Sequence, residues 1–492
     1  MPTINNNIAA LIAHQGLLRA NADLTVRLER LSTGLRLNRA SDDPAGIVKA
    51  DRLAMELSGL RAAMNAAERG STMIGAIDGQ LAAIADRLET LKALVAEQGD
   101  SSTLPPGDRQ LAIDAELLGI GAIANTAMFG GRRLLDGSLA YKNSPINRNL
   151  VARLDVYQAD LASGLLNVSL AVLVAAERGT LYAPTATGSF TAGVLTEAVT
   201  LEITGPKGVR TIAFDAGTSA ATMVTAINEL RGQTGIEAQT SAPSGVASLE
   251  FRTIDFGSAQ TVKVEAVAGT GANWLTRAVI GGAVTNTDSG VDVGGTMNGI
   301  PWVGAGLTAH FSSSVIRLSV ILTEAFGTNP SIAPQSIQVT GGGVAYQVGL
   351  GSTANDRVSF GLRAIIPSQL GHTFAFDKSS LVLSNLASGQ ILAVGGSGSP
   401  VDAVRVVESA IAEVSTIRAR LGAIDRTRLQ GAIESLQSAF EAAAAGNAAI
   451  RDADIAEETA ALVRAQILSQ SSISMIGVAN QNAEALLRLL NR

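Results

Sequence analysis

The groups able to do chemistry are few and badly placed for it. Three histidines, His14, His310 and His372, stand too far apart to form an HxxxH or HExxH metal pair. There is no cysteine, which removes a disulfide scaffold, a thiolate zinc site and a thiol nucleophile. Asp42 and Asp43 form an acidic pair, but they directly precede Pro44, and acidic residues ahead of a proline read as a helix cap. Asn286, Asp288 and Asp292 could gather around calcium, yet their spacing is not that of an EF-hand loop. The Gly341–Gly343 run is followed by no Lys-Ser/Thr and opens no helix, so it reads as a turn and not a phosphate loop. No nucleophile, base and acid can be assembled from these groups. The expectation is a protein with no catalytic residue, no cofactor and no metal.

The frame around them narrows the class further. A formal charge of −6 over 492 residues, with a pI near 5.3, argues against nucleic acid as a partner, because phosphate binding needs a basic surface. Mean hydropathy is +0.27, but no uncharged apolar run reaches 18 residues. The closest approach to one, between Asp160 and Glu177, is broken by Ser163, Asn167 and Ser169, so no membrane span is expected. The first basic residue is Arg19, and Asn5, Asn6 and Asn7 stand where a signal peptide needs charge and then apolar residues. No cleavable signal is expected.

The elements are legible from composition. Residues 1–128 contain no aromatic residue, and after residue 400 only Phe440 appears, whereas 31 of the 51 glycines fall within 180–398. Ends rich in helix formers around a Gly/Thr/Val-rich centre predict a split helical domain with a β-rich insertion. Leu17, Leu24, Leu28, Leu31 and Leu35 form an N-terminal stripe. From Pro44 to about residue 98, Ile74, Ile77, Leu81, Ile84, Leu88, Leu91 and Val95 alternate steps of 3 and 4, the spacing of a coiled-coil seam. Leu111, Ala115, Leu118 and Ala122 predict a shorter helix to about residue 126. After the Gly395–Pro400 break, Val404, Val407, Ile411, Val414, Ile417, Leu421 and Ile424 step alike, followed by Ile433, Leu436, Phe440 and Ala443. A last helix carries Leu462, Ile473, Ile476, Leu487 and Leu490. The two distal segments either pair within one globule or order only on assembly, since a long apolar stripe needs a partner. In the middle, Val199–Ile203, Val209–Phe214, Ser248–Arg252 and Thr261–Val264 read as strands around a helix at Ala220–Leu230. Residues 268–340 show strand and turn signals without assignment.

Specific segments carry a resemblance. Arg30–Gly46 reads RLSTGLRLNRASDDPAG and resembles the N-terminal signature of bacterial flagellins, the subunits of the flagellar filament. IANTAMFGGRRLLDG at Ile123–Gly137, IRARLGA at Ile417–Ala423, AIRDADI at Ala449–Ile455 and RAQIL at Arg464–Leu468 follow in the family's order. The ββαββ order at about 198–267, with AINELRGQTGIEAQ, resembles the hook IN module of flagellar axial proteins. Residues 344–366, with Tyr346–Gly349, resemble the strand segment that returns many flagellins to their helices.

The resemblance implies an α+β multidomain fold, a long coiled-coil-like helical rod from both termini with a β-rich central insertion. It implies an inner-core domain of residues 1–44 and 453–492, a helical rod domain with a β-hairpin region of 45–179 and 341–452, and a variable outer insertion of 180–340. The function implied is a secreted, homo-polymerising filament subunit for swimming motility, exported by the flagellar type III route. The partners implied are an export chaperone, the filament cap and hook–filament junction proteins, with no nucleic acid and no membrane. The residues carrying assembly would be Leu31, Leu35, Arg36, Asn38, Asp42 and Asp43, the seam Ile74 to Leu91, Arg418, Leu421, Arg451, Asp452, Arg464, Ile467, Leu487 and Leu490. Three departures matter. Asp425–Leu429 replaces the usual Q-N-R and carries one extra residue, which would turn the following helix by about 100° unless absorbed. Gln481–Glu484 lacks the family's proline. Thr90 stands at the arginine position that many members present to an innate immune receptor, so recognition by that receptor is not implied. A hook–filament junction protein, a surface adhesin or glycan-binding module on the same scaffold, and an enzyme hidden in the insertion are the competing readings.

Overall fold

The computed structural model describes residues 7–96, 104–161, 164–184, 190–191, 193–242, 247–269, 274–280, 282–374 and 380–490. Its helices are α1 (Ile8–Thr33), α2 (Pro44–Ala96), α3 (Pro106–Thr126), α4 (Ala220–Glu229), α5 (Arg231–Thr234), α6 (Glu324–Gly327), α7 (Pro400–Ile424), α8 (Gly431–Arg451) and α9 (Ile455–Leu490). The chain divides into two compact units, Met1–Arg69 with Gln347–Ser352 and Leu429–Arg492, and Gly70–Tyr346 with Thr353–Arg428. The division falls inside α2, between Arg69 and Gly70. Part of the expected break at Ser101–Gly107 lies outside the described residues; α3 opens at Pro106.

Local chemistry sets the helix ends. α1 is capped by the Asn7 side chain on the Ala10 N–H and stops at Gly34, whose φ of 70° an L side chain rarely adopts. α2 starts because Asp43 accepts from the backbone N–H groups of Ala45 and Gly46, at 3.1 and 2.9 Å, and Pro44 has no N–H to satisfy. Ser399 caps α7 through the Val401 N–H, again with proline in the first turn. Between α7 and α8 lies a six-residue π-helical turn, Asp425–Gln430. This is where the extra residue goes. Leu421 and Leu429 are both buried. A widened turn absorbs a residue that an unbroken α-helix would express as a rotation of about 100°.

In the larger unit, Ile74, Ile77, Leu81, Ile84, Leu88, Leu91 and Val95 are all buried, so the seam read from spacing is a core stripe of the chain itself. Asp78 with Arg418 at 2.8 Å, and Lys92 with Glu408 at 3.1 Å, show α2 and α7 running antiparallel. The face of α3 differs from expectation. Leu111 and Leu118 are 67% and 75% exposed, and the buried stripe is Arg109, Ile113, Leu117, Ile120 and Ala124. Two apolar stripes share this helix, and spacing alone does not say which one faces in. On α7 the first part of the stripe shifts likewise, to Ala403, Val406, Val407 and Ala410 in place of Val404 and Ile411.

The β region has two cores. One lies between a five-stranded sheet, in the order 300–301, 294–297, 166–174, 335–342, 141–143, and a four-stranded sheet, 303–305, 308–312, 316–322, 151–159. Leu170, Met297, Val320, Phe326 and Val339 fill it. Strands from 141–174 thus share sheets with strands from 294–342. The other core holds Leu201, Ile203, Met223, Ile227, Phe251 and Trp274 beneath α4. Its strands include Val199–Gly205, Gly208–Phe214, Ser248–Thr253 and Thr261–Gly269, as the sequence predicts, and a further strand, Ile236–Ser241. That strand corrects the four-strand reading. Its first three residues are all buried although the second is charged, because Glu237 lies against Arg252 and Arg178. Burial, more than these cations can offset, lifts the Glu237 carboxyl above its ordinary value.

The π-helical turn makes a length test. Deleting Thr427 is expected to leave helix content by circular dichroism and Tm nearly unchanged, since the turn relaxes to α-helix. Deleting Ser438 inside α8 should rotate the flanking faces by about 100° and lower Tm strongly. Equal loss from both deletions would show that the turn absorbs nothing.

Candidate functional site

α1 and α9 are the elements to which assembly is assigned by sequence, and the structure packs them against each other within the smaller unit. Asn7 donates to the Ala479 carbonyl at 3.0 Å, Ser469 to Asn21 at 2.9 Å, and Arg27 to Glu458 at 2.8 Å, so the helices run antiparallel. Small residues make the contact. Ala20 is the buried residue of α1, Ala465 and Ala479 are buried on α9, and a Cβ on Gly16 would stand 3.3 Å from the Ser472 hydroxyl. Bulky side chains therefore point elsewhere. Ile8, Leu11, Ile12, Leu18 and Leu28 are exposed on α1, and Val463, Ile467, Leu468, Ile473, Met475 and Val478 on α9, with Ile12 and Ile467 at 64% and 63%. The structure thus pairs the two ends and still leaves most of their large apolar groups in water, with Leu17, Leu24, Leu462 and Ile476 half-buried.

One ionic contact sets the register. Arg27 and Arg30, three residues apart on one face of α1, both hold the carboxylate of Glu458, at 2.8 and 3.0 Å, with its side chain only 7% exposed. Burial alone would raise the Glu458 pKa, but hydrogen bonds from the two arginines outweigh it and hold the carboxyl below its ordinary value. Sequence reasoning passes over this trio; two arginines at i and i+3 in an otherwise apolar stripe are its signal.

The neighbouring segment is stitched by backbone. Leu35 bridges to Asp452, Arg36 N donates to the Arg451 carbonyl at 2.7 Å, and Ala453 N to the Gly34 carbonyl at 2.9 Å. The Arg36 guanidinium donates to the Ile450 carbonyl, and Asn38 to that of Leu35. Asp42 accepts from the Arg39 and Asn38 N–H groups, which lower its pKa, and Arg39 itself pairs with Glu29. Leu35, Arg36, Asn38, Arg451 and Asp452 are thus brought together, with Asp42 and Asp43 on the turn that follows. Beyond them, Leu53, Leu57, Leu60, Leu436 and Phe440 form a small core between α2 and α8, with Arg61 over the Phe440 ring.

Other expected site residues lie apart from this group. The seam from Ile74 to Leu91, with Leu421, is buried in the larger unit, and Arg418 is paired to Asp78 there. Leu31 is half-buried, and Arg464 is exposed on α9. Leu487 and Leu490 lie on the last turns of α9, where side-chain positions fall outside the described residues. Asp288 accepts from the Thr180 N–H and Asp292 from Gly306 N and Ser258, so both serve backbone turns. Among the described residues no group of His, Cys, Asp and Glu is placed to hold a metal, and no helix is long and apolar enough to cross a membrane. What this arrangement offers is association: an ordered helix pair with an apolar exterior.

Comparison with known proteins points the same way. The bacterial flagellin N-terminal helical region matches residues 4–140, the bacterial flagellin C-terminal helical region 404–490, and the flagellin hook IN motif 200–252. Over 99% of both chains, the sequence is 27% identical to the B-type flagellin of Pseudomonas aeruginosa and 25% identical to flagellin A of Vibrio anguillarum. The flagellin of Salmonella typhimurium is 25% identical over the same shares.

Because the folded carboxyl of Glu458 lies below its unfolded value, its contribution is present above the ordinary carboxylate range and is lost as pH falls through the folded pKa. Glu458→Gln is expected to cost about 1–3 kcal/mol. Protection factors of α1 and α9 amides should fall at neutral pH in the variant, and in the native chain only on acidification. Exchange that is unchanged in the variant would remove the trio from the register.

Proposed function

The chain belongs to the bacterial flagellins, and on that premise we propose how its own residues build the filament of which it is a structural subunit. The observation that carries the proposal is the apolar exterior of the α1–α9 pair. Burying one exposed Leu or Ile contributes about 1.5–3 kcal/mol. The exposed Leu, Ile, Val and Met groups of both helices, facing other copies, add that gain to the contacts already made within the pair. Residues 1–44 and 453–492 form the assembling inner core. Leu31, Arg464, Ile467, Leu487 and Leu490 take the direct contacts, with the Leu35–Asp43 and Arg451–Asp452 stitch holding the helices at their bases. The seam Ile74 to Leu91, Arg418 and Leu421 act beneath the surface, by making the helical body stiff enough to transmit those contacts.

In this reading the role is mechanical and not enzymatic. The subunit is exported through the flagellum, meets a chaperone before export and the cap and hook–filament junction proteins at assembly, and ends extracellularly. Recognition by the innate immune receptor is absent, because Thr90 stands at the arginine position and its hydroxyl is turned back onto the Asp86 carbonyl at 3.1 Å.

Full-length protein should form filaments visible by electron microscopy, and a chain lacking residues 1–40 and 455–492 should stay soluble and folded. Ile12→Glu with Ile467→Glu should abolish polymerisation while circular dichroism stays near native, since both positions are already in water. Filaments from the double variant would overturn the proposal.

A further inference from the structure

The larger unit contains a cavity of about 370 Å3 between the four-stranded sheet and α7, remote in sequence from the helices that assemble. Its charges do not balance. Arg153 and Arg363 are fully committed: Arg153 holds Asp155 at 2.9 Å and Glu413 at 2.7 Å, and Arg363 holds the same two carboxylates. Burial alone would lower the Arg153 pKa, but Asp155 and Glu413 carry it above its ordinary value, so this group stays closed and charged. A third guanidinium, that of Arg420, lines the same space with no carboxylate in ion-pair range among the described residues. It lies 3.2 Å from the centre of the Tyr157 ring. A stacked guanidinium keeps its N–H edge available for an acceptor. His310 faces it, held below its ordinary pKa by burial and then by Arg420, and so offers a neutral ring. Leu154, Phe360 and Leu421 complete the wall with apolar surface. Half-buried positive charge over an apolar pocket is matched by one kind of guest.

We propose that this cavity binds a small organic monoanion, a carboxylate on an apolar body, with Arg420 as the group that takes the charge. The inference is independent of the filament reading, and its failure would leave that reading intact.

The test uses the full-length monomer and two probes of equal shape, benzoate and benzamide, titrated calorimetrically at fixed ionic strength. Benzoate is expected to bind saturably at one site, and benzamide at least about tenfold more weakly. Arg420→Gln should weaken benzoate by about tenfold or more and leave benzamide unchanged. Should that variant unfold, Thr416→Trp serves instead: Thr416 is exposed at the rim, and an indole there should block both probes. Equal affinity for the two probes, undiminished benzoate binding in either variant, or no saturable binding at all would overturn the proposal.

Discussion

The contact between α1 and α9 depends on what is small. Alanine, glycine and serine at the crossing let the two backbones approach, and most of the large Leu and Ile side chains remain outward. A leucine-filled seam would have the opposite result, a self-satisfied pair with a polar outside. Here the pair is held by an arginine–glutamate trio, a few side-chain hydrogen bonds and a backbone stitch, none of which removes the large apolar surface from water. If these groups face other copies, as proposed, polymerisation completes a packing that the subunit leaves unfinished. Bulky groups are kept for neighbours because small ones suffice at home.

The larger unit follows the other rule. Its stripe on α2 is fully buried, so the spacing that looks like an intermolecular seam fills an intramolecular core. Both stripes read alike in sequence, since steps of 3 and 4 report a helical face and not who covers it. The same limit explains α3, where Leu111 and Leu118 predict the helix correctly yet lie on its outer side. Helix starts were the most legible: the acidic pair ahead of Pro44 and the break ending at Pro400 act locally, and local rules need no partner.

Long-range pairing was where reading the sequence ran short. The strand Ile236–Ser241 is invisible to an apolar count because Glu237 is buried against arginines far along the chain. Residues 294–322 resolve into hairpins, one of them turned at Asn298–Gly299 with φ of 52° and 80°. That Asn-Gly pair is a legible hairpin signal. The π-helical turn was foreshadowed more fully: an extra residue against the family pattern, followed by an unbroken helix, requires a local widening, and Asp425–Gln430 supplies it. The surplus cation at Arg420 has no sequence signature, because its isolation is a fact of three dimensions.

Arg27 and Glu458 meet across 431 residues of chain. Closing so long a loop is entropically costly and slow compared with forming any hairpin or helix pair between them. In any process that delivers the chain one end at a time, the first terminus to arrive has no mate until almost the whole polypeptide has followed. The separation acts as a clock. It keeps the two ends unpaired until both have been delivered, and makes their pairing the last event of that delivery.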